Sequence, residues 1–486
     1  MDTTGIAHPP RRVPLLGDLR GVNPRTPVQD SMRLGRELGP VFARKFLNRE
    51  IVFVSGAELV AELSDETRFA KHVGLGIENL RDMGGDGLFT AYNTEPNWQR
   101  AHGILQPGFA LGSMHQYHPA MVEVAKELIG HWDRAVDADP VDVPADMTKL
   151  TLETIGRTGF GYPFGSFERD RPHPFVSAMV GGLRHAQRRN FQWPLVGRWL
   201  DRAAARQNEA DLAFMKQQVD EVIRARRESG DTSTRDLLGL MLNEVHPDTG
   251  EALDPVNIRW QVITFLVAGH ETTSGALSFA LHYLSRNPEV LAKAQAEVDA
   301  IWGDQDDPDP TFKEITKLRY VRRVLDEALR LWPTAPAYAR AAREDTVLGG
   351  RYRMRQGDWV MVLIPLLHRL PEVWGDDPEA FDPERFAPGR AKQRPAHTYK
   401  PFGTGERACI GRQFAVHEAT LVLALLLHRY ELVPDPDYRL RITELLTIKP
   451  EGLTMRLRRR RRADRAAVPA AEVADAEDAP KCPVQH

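Results

Sequence analysis

The run Phe402-Gly403-Thr404-Gly405-Glu406-Arg407-Ala408-Cys409-Ile410-Gly411 constrains this chain most, because it holds one of only two cysteines in 486 residues. A lone cysteine excludes a zinc cluster or a disulfide framework. Gly403 and Gly405 open a loop directly before the apolar segment from Ile410 through Leu427. That segment reads as a helix, which places Cys409 at a helix N-terminus, where unpaired N–H groups and the macrodipole favour a thiolate. Arg407 adds positive charge two residues away, and Gly411 leaves room for a large flat ligand near the backbone.

A thiolate held this way suits an axial ligand to haem iron; the competing reading is a reactive or merely buried thiol. A second feature bears on the choice. Asp254-Pro255 opens a long helical pattern with Ile258, Ile263, Phe265, Leu266, Val267 and Leu277 apolar, interrupted by Ala268-Gly269-His270-Glu271-Thr272-Thr273. A carboxylate and two β-branched hydroxyls inside a buried helix are locally costly, and such rule-breaking marks functional sites more than structural ones. The Thr272 hydroxyl can bond back to a carbonyl one turn earlier or hold a water, and Glu271 beside it can relay protons. Dioxygen chemistry needs such an acid–alcohol pair; the alternative is a kinked core helix with satisfied polar groups.

Elsewhere the chain reads as one domain over 1–457 with a tail over 458–486. Its 42% hydrophobic content supports a large core, and a net charge of −3 argues against a dedicated nucleic-acid binder. Met1 to Arg20 has no apolar core segment, and the most apolar stretch, Trp260–Leu284, contains His270, Glu271 and His282. No membrane anchor and a cytoplasmic location are therefore expected. Strands are expected at Val41–Lys45, Glu50–Val54 and between Thr346 and Ile364, helices from Asn97 to Leu331, and a hairpin over Thr443–Leu457 around Pro450 and Gly452. Arg458–Arg462 reads as a solvated basic run leading into a polar tail, where Cys482 is an idle thiol.

The ten-residue run resembles the haem-binding signature of the cytochrome P-450 family, Phe-x-x-Gly-x-Arg-x-Cys-x-Gly, and Ala268–Thr273 resembles that family's oxygen-binding pattern. The resemblance implies a mainly α fold with small β-sheets, and haem b between the long central helix and the helix after the cysteine loop. Cys409 would be the iron ligand. Phe402, Gly405, Gly411, Ala268 and Gly269 would border the porphyrin, and Lys71, Trp98, His102 and Arg407 would meet its propionates. Glu327, Arg330 and Arg385 would form a buried structural network.

Within the family, Phe265–Gly275, Glu327–Pro336, His417–Leu423, Gly85–Phe89 and Asp345–Gly350 resemble the self-sufficient fatty-acid hydroxylase branch, over roughly residues 10–455. That likeness implies monooxygenation of a long apolar substrate, with fatty-acid hydroxylation near the chain end first and tailoring of a polyketide or terpenoid second. A peroxide-driven hydroxylase and a non-catalytic haem sensor are weaker alternatives. Phe89, Ile77, Ala335, Pro336 and Leu446 would line the pocket. Arg49 falls where the branch carries an Arg for the fatty-acid carboxylate, while Phe53 replaces its Tyr partner. The branch's fused flavin reductase is not in this sequence, so a separate ferredoxin or flavodoxin and its reductase are the expected partners. The segment 181–206, over the expected substrate entrance, resembles the branch poorly.

Overall fold

Asp254 starts the longest helix, Pro255–Arg286, which organises the molecule in a computed structural model of the chain. Its carboxylate accepts from the N–H groups of Val256 and Asn257, both at 2.9 Å, and Pro255 fills a position whose N–H has no helical partner. The structure describes residues 1–461 except 2, 11, 14–15, 19–22, 24, 47–48, 170 and 190–201. Leu277, Phe279, Ala280 and Leu281 of this helix are fully buried; a helix apolar on all sides belongs in the centre of a core. Helices Val143–Phe160, Arg319–Leu331 and Arg412–Arg429 contribute to the same cluster. Against Val143–Phe160 the approach is close: Thr151 Oγ1 donates to His270 O at 2.9 Å, and a Cβ on Gly269 would sit 3.3 Å from Ile155 Cγ1.

The largest sheet has the order β1-β2-β8-β5-β3, with β1 Val41–Phe46, β2 Arg49–Val54, β3 Phe69–His72, β5 Ala337–Ala342 and β8 Trp359–Leu363. The β2/β8 pair is parallel and the others antiparallel, and β6 Thr346–Leu348 and β7 Tyr352–Met354 form a separate antiparallel pair. Register puts Phe42, Phe53, Met361, Ala339 and His72 in one row across it. Alternate residues face opposite sides, so Lys71 and Arg340, which oppose each other, belong to the other face.

The strands expected at the N-terminal end are present, each one residue longer, at Phe46 and at Arg49, the ends that follow each other in sequence. β5, in the sequence Ala337-Tyr338-Ala339-Arg340-Ala341-Ala342, was not anticipated. The C-terminal hairpin differs in detail. β10 Ile442–Glu444 pairs with β11 Ile448–Pro450 across residues 445–447, so Pro450 lies in a strand and the turn precedes it. β12 Thr454–Arg459 instead joins β9 Tyr430–Pro434 and β4 Val141–Asp142. Residue 457 is therefore not the last of the fold, and the basic run is not uniformly solvated: β12 continues through Arg459, and buried Arg460 donates to both Asp299 carboxylate oxygens at 3.0 and 2.6 Å. Residues 190–201 of the entrance segment, and Cys482, lie outside the described residues.

Candidate active site

Gly403 and Gly405 have φ of +78° and +66°, a left-handed conformation that glycine adopts without strain, and they turn the chain so that Cys409 N–H donates to Phe402 O at 2.9 Å. Helix Arg412–Arg429 follows, with Gly411 as its N-cap. Cys409 opens onto a cavity of about 350 Å³ between this loop, the central helix and the sheet. Burial pushes the Cys409 thiol pKa up, and the Gly411 N–H and Arg412 pull it down by less. The expected help from Arg407 is absent. Its guanidinium turns away, donating to Ala91 O at 2.8 Å and Asn93 Oδ1 at 3.0 Å and lying 4.6 Å from the Trp98 ring centre.

Arg407 belongs instead to a basic edge of the cavity. Lys71 Nζ donates to Phe89 O at 2.6 Å and lies over the Phe89 ring, and Trp98 stacks on His102 at 4.9 Å. All four residues line the cavity. So does Arg340, which sequence reasoning missed; it is buried and donates to Leu63 O and Phe69 O. Neither Lys71 nor Arg407 forms a salt bridge with a described residue, and Arg407 Nε is buried without a partner. Burial and mutual repulsion drive the Lys71 pKa well down, and burial brings Arg407 to about 10. Buried cations without counterions are costly unless an anion meets them. An apolar cavity with a thiol on one wall and unpaired cations along one edge fits a flat, dianionic, thiolate-ligated cofactor such as haem b.

The central helix contributes Ala268, Thr272 and Thr273 to the cavity lining. Thr272 Oγ1 donates to Ala268 O at 2.8 Å, one turn back. Glu271 is 1% exposed and does not line the cavity. Lys449 Nζ and Thr447 Oγ1 each approach its carboxylate at 3.2 Å, and His270 Nε2 lies 3.2 Å away. Burial would raise the Glu271 pKa, but His270 and Lys449 overcome it and hold the group well below the carboxylate range. Thr447, which does line the cavity, links Glu271 to it, and no local sequence pattern marks this residue.

Two glycines, Gly269 and Gly405, play other parts than those expected. Gly269 faces Ile155 of the neighbouring helix. A Cβ on Gly405 would collide with the Glu66 carboxylate, which also accepts from Glu406 N–H at 2.8 Å, so that glycine seats Glu66 against the loop. A Cβ on Gly411 would meet only Phe109, at 3.6 Å. Of the pocket residues, Phe89, Ile77, Ala335 and Leu446 line the cavity together with Phe402, while Pro336 is buried behind it. Arg49 and Phe53 do not line it: Arg49 is exposed on β2, and Phe53 is buried, stacked on Phe42 at 5.0 Å.

Behind the loop, Arg330 donates Nε and one Nη to the two oxygens of Glu327 at 2.6 and 2.7 Å. Arg385 Nε lies 3.6 Å from Glu327, and another Arg385 nitrogen donates to Trp374 O. All three residues expected in this network are brought together.

A family model described as Cytochrome P450 matches residues 7–455. Among similar curated proteins, the bifunctional cytochrome P450/NADPH–P450 reductase of Bacillus cereus is 47% identical over 447 residues, 91% of this chain and 41% of that protein. The bifunctional cytochrome P450/NADPH–P450 reductase 1 of Bacillus subtilis is 46% identical over 478 residues, 97% of this chain and 44% of that protein. A self-sufficient cytochrome P450 monooxygenase of Phanerodontia chrysosporium is 39% identical over 450 residues, 92% and 42% respectively. This chain spans about two fifths of the length of these relatives.

Proposed function

The chain belongs to the cytochrome P450 family, and from that premise we propose that it is a haem-thiolate monooxygenase that inserts one atom of dioxygen into a C–H bond of a long apolar substrate. Hydroxylation of a fatty acid near its chain end is the favoured reaction, in the cytoplasm. Electrons would come from a ferredoxin or flavodoxin with its reductase; the relatives' names describe a P450 joined to an NADPH–P450 reductase. Among the described residues no helix is long and apolar enough to cross a membrane.

The observation that carries this reading is that Cys409, Thr272 and the cations Lys71, Arg340 and Arg407 line one and the same apolar cavity. When bound, haem supplies oxygen activation at iron. Cys409 would ligate that iron through sulfur, while Lys71, Trp98, His102, Arg340 and Arg407 would take the propionates. Thr272, bonded back to Ala268 O, keeps oxygen lone pairs available for a cavity water. Glu271, ionised at rest, would relay protons from part-exposed Lys449 toward the cavity only by transient protonation, with Thr447, whose hydroxyl donates to it, on the cavity side. Phe89, anchored beside Lys71, and Ile77, Ala335 and Leu446 would hold the substrate chain and exclude bulk water.

Titrating the haem-loaded protein with saturated fatty acids and with macrolides, read by the haem spin-state spectrum, tests the substrate class. Fatty acids are expected to produce the shift. A shift with macrolides and with no fatty acid would replace this substrate by a polyketide.

A further inference from the structure

The cavity has a second polar feature, on the sheet side and away from the basic edge. His72 ends β3 and lines the cavity beside Ala339, in the cross-strand row that also holds Met361 and Phe53. Lys71 and Arg340 belong to the opposite face of the same strands. The imidazole is held in plane by Trp359, stacked at 4.7 Å and 18°. Gly74 keeps it accessible, because a Cβ there would sit 3.4 Å from His72 Cδ2 and 3.7 Å from the Trp359 ring.

Neither ring nitrogen has a hydrogen-bond partner among the described residues. Burial, opposed by Glu78, lowers the pKa below the ordinary imidazole value, so the ring is neutral at pH 7. A neutral imidazole offers one N–H donor and one acceptor nitrogen, which pair with a carboxyl or hydroxyl group. In an apolar cavity such a bond is stronger than in water, and a polar end group left unpaired there is penalised. Arg49, exposed on β2, is not among the residues that line the cavity.

We propose that His72 is the subsite for the polar end of the substrate chain, hydrogen-bonding its terminal oxygen while the hydrocarbon runs toward Phe89. This rests on the fatty-acid reading and adds to it the residue that orients the chain. It also reassigns that task from Arg49, where family resemblance places it.

The test compares a saturated fatty acid, the primary alcohol of equal length and the n-alkane, each titrated into haem-loaded wild type, His72→Phe and Arg49→Ala, with Kd read from the spin-state spectrum. Wild type is expected to prefer acid and alcohol over alkane by roughly three- to tenfold, the value of one hydrogen bond. His72→Phe, which keeps an aromatic ring against Trp359, is expected to bind the alkane as wild type does and to lose the preference; Arg49→Ala is expected to keep it. A preference that survives His72→Phe, or one abolished by Arg49→Ala, overturns the assignment. Wild type that binds alcohol and alkane but not acid sinks the fatty-acid reading alone, and the alcohol arm still decides for or against His72. Binding of none of the three overturns both.

Discussion

Replacing Arg330 with alanine is expected to destabilise the fold by about 3–5 kcal/mol and to abolish haem retention. The guanidinium is fully buried and all its hydrogen bonds have structural partners. Beside the bidentate pair with Glu327, it donates to His368 O at 2.8 Å, Pro378 O at 2.7 Å and Ala380 O at 2.9 Å. Those carbonyls belong to the irregular chain between β8 and the cysteine loop, and His368 in turn accepts from Lys400 N–H at 2.9 Å, two residues before Phe402. Alanine leaves a carboxylate buried and three carbonyls unpaired; lysine, without the planar fork, satisfies neither set. Glu327 already has its pKa raised by burial against the pull of Arg330, so without the arginine it takes up a proton. Urea unfolding at unchanged m-value measures the loss. A cost under about 1 kcal/mol would mean that the network does not support the loop.

The second large effect concerns Glu418, on the helix that follows the cysteine loop. It is 1% exposed, neither carboxylate oxygen has a hydrogen bond of good geometry among the described residues, and burial, only partly offset by the Thr154 hydroxyl, pushes its pKa up to about 8 from an ordinary 4.5. A folded-state pKa above the unfolded one means that the native protein binds the extra proton between those values. The contribution to stability is complete below about 4.5 and is lost as pH rises toward 8, at about 1.4 kcal/mol per pH unit. Glu418→Gln carries no such slope. Relative to wild type the variant is expected to gain on the order of 3 kcal/mol between pH 6 and pH 8, measured by denaturant unfolding at both. Parallel pH profiles for the two proteins would show that the carboxyl is solvated or paired in solution.

How much of this was legible in the sequence depends on the distance over which the signal acts. The cysteine loop, the central helix and the Glu327–Arg330 pair are encoded by neighbours within one or two turns, and each took its expected place. Contacts across hundreds of residues were not legible. Glu66 meets Glu406, Lys449 meets Glu271, and Arg340 reaches the cavity only because β5 pairs between β3 and β8. β5 itself is alanine-rich, and its strand character comes from those partners rather than from β-branched or alternating apolar residues. The C-terminal hairpin was misplaced because Pro450 suggested a turn, whereas it ends an edge pairing with Ile442, as proline can. The channel-mouth residues illustrate the limit of transfer by position: Arg49 and Phe53 occupy the expected sites on β2, yet Phe53 packs into the sheet's own core and Arg49 is exposed and not part of the cavity lining.

The central claim is that Cys409, as thiolate, ligates haem iron in this cavity. The carbon-monoxide difference spectrum of the dithionite-reduced, haem-loaded protein tests it directly. Wild type is expected to show the long-wavelength Soret band of a thiolate-ligated haem, and Cys409→Ser to lose it. A wild-type spectrum of the imidazole or weakly ligated type, or a thiolate-type band that persists in Cys409→Ser, would contradict the account.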